Sequence, residues 1–203
     1  MTLVDEIVVK HLGTLPYGQA LQAMREFTTG RTEATPDEIW LVEHPPVYTL
    51  GQGATASLKA ESAIPIIPSD RGGEITYHGP GQAVLYTLVD LARRRITVKR
   101  FVWLLEQAVI DLVGPGAERR PGAPGVYVGG AKLAALGIRV KRGRAYHGLA
   151  VNVDMDLAPF AAIDPCGYPG LQVTQLRDIG FKENAFALGD RLAHILIQRL
   201  DHA

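Results

Sequence analysis

The sequence predicts an α+β domain in which a mixed, largely antiparallel sheet is flanked by helices. Short runs rich in Val, Ile and Leu concentrate in the middle of the chain, and amphipathic helical patterns are interspersed without regular strand–helix alternation. The chain has 203 residues, 47% of them apolar, which suffices for one core without disulfides or a structural metal. No internal repeat, low-complexity tract or linker divides it, so residues 1–203 read as a single domain.

The elements follow in order. Leu3 to Leu12 reads as a first strand closed by Gly13, and Pro16 opens a helix to about Thr29 on which Ala20, Leu21, Met24 and Phe27 share a face. Ile39 to Val42 is a short buried strand; His44-Pro45-Pro46 breaks it, and Val47 to Leu50 is extended again. Gly51 to Pro65 carries turn residues and reads as a loop. Ala83 to Val89 is a strand, and Thr97 starts an amphipathic helix to about Val113 that buries Phe101, Leu104, Leu105, Ala108 and Leu112. Arg119 to Pro124 reads as a Pro/Gly loop. Val126 to Val128, Lys132 to Val140 and Tyr146 to Val153 are strands, the last two joined by a turn at Lys141 to Arg144. From Leu157 the pattern turns helical, ending in a helix from Glu183 to about Leu200. The helices are expected on one side of the sheet.

Charge excludes some functions. Lys+Arg and Asp+Glu are both 21, so no global field draws the chain to nucleic acid or to an anionic membrane. Met1 to Glu6 lacks the basic and apolar regions of a secretory signal, and no apolar run approaches the ~20 residues of a membrane span. With one cysteine in the chain, a reducing cytoplasm is the expected location.

Five features bear on chemistry. The only cysteine, Cys166, sits in Ile163-Asp164-Pro165-Cys166-Gly167-Tyr168-Pro169-Gly170, where Pro and Gly impose a turn; it reads either as an inert thiol or as one presented for reaction. Arg71-Gly72-Gly73-Glu74-Ile75-Thr76-Tyr77-His78-Gly79-Pro80-Gly81-Gln82 is glycine-dense enough to let backbone N–H groups approach a ligand, or is a tight hairpin. It is not a Walker loop, since no Gly-Lys-Ser/Thr follows. Lys132 stands among small and apolar residues, either snorkelling or held near an anion. His44, His78 and His147 form no short-range ligand pair, so no metal is expected. The Arg93-Arg94-Arg95 cluster, with Lys99 and Arg100 nearby, is ordinarily a solvated face, and is also the best local candidate for docking an acidic carrier protein.

Together these segments resemble the lipoate-protein ligase B family, the octanoyl-[acyl-carrier-protein]:protein octanoyltransferases. The resemblance rests on Arg71 to Gln82, on Glu43-His44-Pro45-Pro46-Val47-Tyr48-Thr49-Leu50-Gly51-Gln52, on Gly125 to Gly137, on Tyr146-His147-Gly148-Leu149-Ala150 and on Pro165-Cys166-Gly167. The blocks stand in the family's order and span roughly Trp40 to Leu176. The resemblance implies that Cys166 carries the acyl group as a thioester and that Lys132 is its catalytic partner. It implies that Arg71, Gly72, Gly73, Glu74, Ile75, Thr76, Tyr77 and His78, with Ala135, Leu136, Gly137, Gly148, Leu149 and Ala150, line the acyl substrate site. It further implies no cofactor, the donor's acyl group being carried on the phosphopantetheine of acyl carrier protein. The implied acceptors are lipoyl domains of 2-oxoacid dehydrogenase complexes and the glycine cleavage H protein. The implied fold is that of the biotin and lipoate protein ligases. An ATP-dependent ligase on that fold, or a non-catalytic module that binds lipoyl domains, are the alternatives; neither needs a nucleophilic cysteine.

Overall fold

A computed structural model describes residues 6–54, 62–163 and 170–203. Cys166 therefore lies outside the described residues.

Among the described residues ten strands form two sheets. The larger has the order β1-β2-β6-β10-β9-β8-β7, built from Ile7–Thr14, Asp37–Glu43, Gln82–Leu88, Arg144–Asn152, Ala131–Lys141, Ala123–Val128 and Ala117–Arg120 in that order. Only β1 and β2 run parallel; every other pairing in it is antiparallel. The smaller sheet places β3 (Val47–Leu50) between β4 (Ile66–Pro68) and β5 (Ile75–His78). Gly79 to Gly81 thus do not close a hairpin: they carry the chain from β5 in one sheet to β6 in the other. Arg119 to Pro124, expected as a loop, instead holds the tight turn of the β7–β8 hairpin.

Helices cover both faces of the large sheet, not one. Ile39 and Leu41 of β2 and Leu85 of β6 face a core shared with α3 (Val98–Val113) and α4 (Ala185–Asp201). Their neighbours Trp40, Val42, Val84 and Tyr86 face the opposite way, onto Tyr17, Ala20, Leu21 and Met24 of α1 (Tyr17–Gly30). Two-residue alternation with apolar groups at both parities is what makes β2 read as a continuous apolar run. The helix starts follow local chemistry: Thr97 accepts a hydrogen bond from the Arg100 amide at 3.2 Å, and Asn184 one from Ala187 at 2.9 Å.

Two members of the arginine cluster turn inward, while Arg95, Lys99 and Arg100 stay exposed. A short helix α2 (Leu91–Arg94) turns Arg93 and Arg94 inward, and both bond the fully buried carboxylate of Asp37 at 2.6 Å, beside Arg31 at 2.6 Å. Sequence periodicity does not show this, because Asp37 and Arg93 are brought together only by the pairing of β2 with β6.

Candidate active site

The site grows from a missing-side-chain strip on two neighbouring strands. In the β9–β10 register Gly137 stands opposite Gly148 and Ala135 opposite Ala150, so this stretch of the sheet offers almost no bulk. Above it sits a cavity of about 70 Å³. Its walls include Arg71, Gly73 to Thr76, His78, Lys132, Ala135 to Gly137 and Gly148 to Ala150. Residues from three sequence-distant blocks therefore meet at one place.

Two members of the expected set stand elsewhere. Tyr77 alternates with His78 along β5 and so turns its ring toward Tyr48 and Phe160, with centroids at 5.5 and 5.4 Å, in the core under the small sheet. Gly72 is tied by its amide to the Ile138 carbonyl at 3.0 Å and does not line the cavity. Gly137 permits that approach: a Cβ on it would come within 2.8 Å of the Gly72 carbonyl oxygen.

Arg71 is buried, and its guanidinium is spent on backbone and hydroxyl oxygens. Nη2 donates to the Thr49 carbonyl at 2.7 Å and to Thr49 Oγ1 at 2.8 Å, and Nη1 to the Gly72 carbonyl at 3.0 Å. It thereby staples the glycine-rich segment to β3.

Lys132 is only 4% exposed. Its backbone is clamped between Gln172 and Thr174, the Lys132 amide donating to Gln172 at 2.8 Å and its carbonyl accepting from Thr174 at 3.0 Å. Nζ donates to the Pro124 carbonyl at 3.0 Å and lies 5.6 Å from the Tyr127 ring centroid. Gly125 makes room for that stem. At φ +142°, a Cβ there would stand 2.8 Å from Lys132 Cε.

His78 and His147 line the cavity, His44 packs against His78 and Tyr86, and burial lowers the pKa of all three. His44 Nδ1 is 2.6 Å from the Leu15 carbonyl, an acceptor, so it carries the proton. Its Nε2 then accepts from Tyr86 Oη at 2.6 Å. Burial lowers the His44 pKa and raises that of Tyr86 well above the usual phenol value, which keeps this polarity. His78 stacks on Tyr17 at 5.9 Å, and burial, reinforced by His44 nearby, pushes its pKa down to about 3. His147 Nε2 lies 2.7 Å from Asp70 Oδ1. Burial alone would raise Asp70, but hydrogen bonds from His147, Tyr146 and Arg25 overcome it and hold the carboxyl far below its ordinary range. His147 has a left-handed backbone, φ +62°, within β10.

Tyr17, Tyr86, Asn152 and His147 also line the cavity, and the sequence reading did not assign them to it. Asn152 could have been found by parity, since it shares a strand face with Gly148 and Ala150. Tyr17 and Tyr86 could not, because their adjacency depends on which strands pair.

Comparison with known proteins settles the family. The model of the lipoyl protein ligase A/B catalytic domain matches residues 16–187.

The chain belongs to the lipoyl protein ligase A/B catalytic domain family.

Within it, a protein of Dechloromonas aromatica named octanoyltransferase is 56% identical over 198 residues, covering 96% of this chain and 97% of its own. One of Thiobacillus denitrificans with the same name is 61% identical over 178 residues, covering 86% and 82%. At such identity this lipoyl protein ligase A/B family member is an acyltransferase. Among solved structures, a bi-partite lipoate protein ligase from Thermoplasma acidophilum superposes with a TM-score of 0.69 at 15% identity, covering 97% of this chain and 83% of that one. A biotin protein ligase from Aquifex aeolicus gives 0.55 at 9%, covering 96% and 70%. These two likenesses establish the shared fold. Among the described residues no helix is long and apolar enough to cross a membrane.

Proposed function

We propose that the enzyme transfers an octanoyl group from octanoyl-acyl carrier protein to the acceptor lysine of lipoyl domains, through a thioester on Cys166 and without ATP or another cofactor. The observation that carries this reading is the buried Lys132 beside a cavity floored by paired small residues. Relatives named octanoyltransferase at 51–61% identity point the same way.

In the first half-reaction the Cys166 thiolate attacks the donor thioester, and Lys132 protonates the departing phosphopantetheine thiolate. A free thiol has a pKa near ~8.5, and a neighbouring ammonium favours the thiolate. In the second half-reaction a neutral lysine amine of the acceptor attacks the acyl-cysteine, and Lys132 takes up a proton from it. Thioester exchange is nearly balanced, whereas amide formation runs downhill, so no nucleotide is needed. Burying the alkyl chain in the cavity contributes about 5 kcal/mol at ~0.8 kcal/mol per methylene. Acidic carrier protein and lipoyl domains are the two protein partners on this reading.

The test is direct. Mixing the protein with octanoyl-acyl carrier protein, with no ATP, yields an octanoyl adduct by intact mass that hydroxylamine removes and that a lipoyl domain discharges. Transfer at near wild-type rate by Cys166→Ser would refute the thioester. Strict dependence on ATP would return the protein to the ligase reading.

A further inference from the structure

Among the described residues, one stretch of β9 presents a backbone edge that no strand covers. The Ala134 carbonyl points toward β8, since a Cβ on Gly125 would come within 2.6 Å of its oxygen. The Ile138 carbonyl points to the same edge and accepts from the Gly72 amide at 3.0 Å. Leu136 lies midway, so the two-residue alternation of a strand presents its N–H and C=O there too. β8 does not reach it: the β8–β9 ladder ends at Val126 paired with Ala134. Continuing that register would set Pro124 opposite Leu136, and proline has no N–H to give. Gly125 turns the chain away instead, at φ +142°, with its amide on Glu106 Oε1 at 3.0 Å.

The uncovered edge opens into a second cavity, of about 280 Å³, walled by Leu136 to Ile138, Gly72 to Glu74, Gly122, Pro124 and Val102 of α3. Gly73, Glu74, Leu136 and Gly137 also line the first cavity, so the two spaces share a wall. Lys132 stands at the junction. It lines the first cavity, while its Nζ donates to the carbonyl of Pro124, which lines the second, at 3.0 Å. Val98 and Lys99, both exposed, lie one turn before Val102 and share its face of α3.

An occupant of this second cavity must be thin, offer both N–H and C=O to the strand edge, and suit a cation at its outer end. An acyl chain carries no N–H, and a lysine side chain no C=O. The arm of phosphopantetheine carries both: two amides flank a two-methylene spacer, and a phosphate ends the arm. The N–H of one amide and the C=O of the other can pair with Leu136 as a facing strand residue would.

We propose that the free edge at Leu136 binds the phosphopantetheine arm of the acyl donor as an added strand, with its phosphate toward Lys99. This rests on the transfer reaction proposed above. The acyl end of the donor then crosses the shared wall into the first cavity.

Two measurements test this. The first needs no turnover. Octanoylamino-pantetheine, with nitrogen in place of the thioester sulfur, is added to the protein and amide exchange is followed by NMR. Exchange of the Leu136 N–H should slow about tenfold, the worth of one to two hydrogen bonds, and should not slow with octanamide, which lacks the arm. An analogue that leaves Leu136 exchange unchanged at saturation, or that does not bind, overturns the proposal. The second measurement is kinetic. Wild-type acylation should favour octanoyl-pantetheine over the amide-free octanoyl-mercaptoethanol about tenfold in kcat/KM. Val102→Trp, which fills the second cavity, should erase most of that preference, with the melting temperature recorded as a folding control. Slower discharge of preformed octanoyl-enzyme by a lipoyl domain, with the donor preference intact, would give the cavity to the acceptor's lysine and overturn the proposal. Failure of the wild-type protein to form octanoyl-enzyme would overturn the transfer reaction instead, and the exchange measurement would still decide whether the edge binds the arm.

Discussion

Asp37→Asn is the sharpest perturbation of the framework that carries the site. Asp37 is 0% exposed. Oδ1 accepts from Arg31 Nη2 and Arg93 Nη2, each at 2.6 Å, and from the Asp90 amide at 2.8 Å; Oδ2 accepts from Arg94 Nε at 2.6 Å. Burial alone would raise this carboxyl, but the hydrogen bonds from Arg94, Asp90 and Arg31 outweigh it and lower the pKa. Asparagine keeps the shape, removes the charge and turns one acceptor oxygen into a donor facing a guanidinium. Removing one partner from a buried ion pair costs about 3–5 kcal/mol. That is a large share of the ~5–15 kcal/mol typical of a domain. At ~2–4 °C per kcal/mol for a chain of this size, the melting temperature should fall by about 6–20 °C. Urea unfolding should show a lower midpoint at unchanged slope. Arg93→Ala should cost less, near ~1 kcal/mol, since that side chain is 22% exposed where Arg31 is 1% exposed. A loss below ~1 kcal/mol for Asp37→Asn would refute the argument. Because the folded pKa is depressed, this stabilisation is present above the unfolded carboxylate value near ~3.9 and disappears as pH falls through the lower folded value.

Three further outcomes are expected. His78 has a folded pKa of about 3 against ~6.5 unfolded, so its neutral form favours folding above pH ~6.5 and that advantage is lost as pH falls toward 3. Wild-type stability should drop by about 2 kcal/mol between pH 7 and 5 from this residue alone, and His78→Phe should flatten the curve in denaturant titrations at each pH. Ala150→Leu adds three carbons to the cavity floor beside Ala135, and loss of room for about three methylenes at ~0.8 kcal/mol each predicts a fall of about fifty-fold in kcat/KM for octanoyl donors but little change for butanoyl ones. Thr97→Ala removes the hydrogen bond to the Arg100 amide and should cost about 1 kcal/mol in urea unfolding, without altering the transfer rate.

How much of this was legible beforehand differs by element. The amphipathic helix after Thr97 and the strand through Ala83 to Leu88 carry local signals, a cap and a periodicity, that survive into the fold. The hairpin at Arg119 to Pro124 was hidden because β7 is short and polar and β8 opens on Ala123-Pro124-Gly125, which reads as a turn. The Arg93 and Arg94 side chains look solvent-facing in sequence, since nothing local reports that Asp37 waits inside the neighbouring strand for them. Cys166 was singled out by its uniqueness and by the family resemblance, and lies outside the described residues.

Composition, periodicity and the motif blocks by themselves determined an α+β domain, its principal elements and the residue types able to carry acyl transfer. Tertiary structure alone decided that helices cover both faces of the sheet, that Gly137 and Gly148 meet to open a cavity, and that Lys132 and His78 share it. It also excluded Tyr77 and Gly72 from that cavity. The reason is physical. Turns, caps and amphipathic faces are short-range properties, written within a few residues, whereas the partners of the buried Asp37 charge are set by β2 pairing with β6, strands that are distant in sequence.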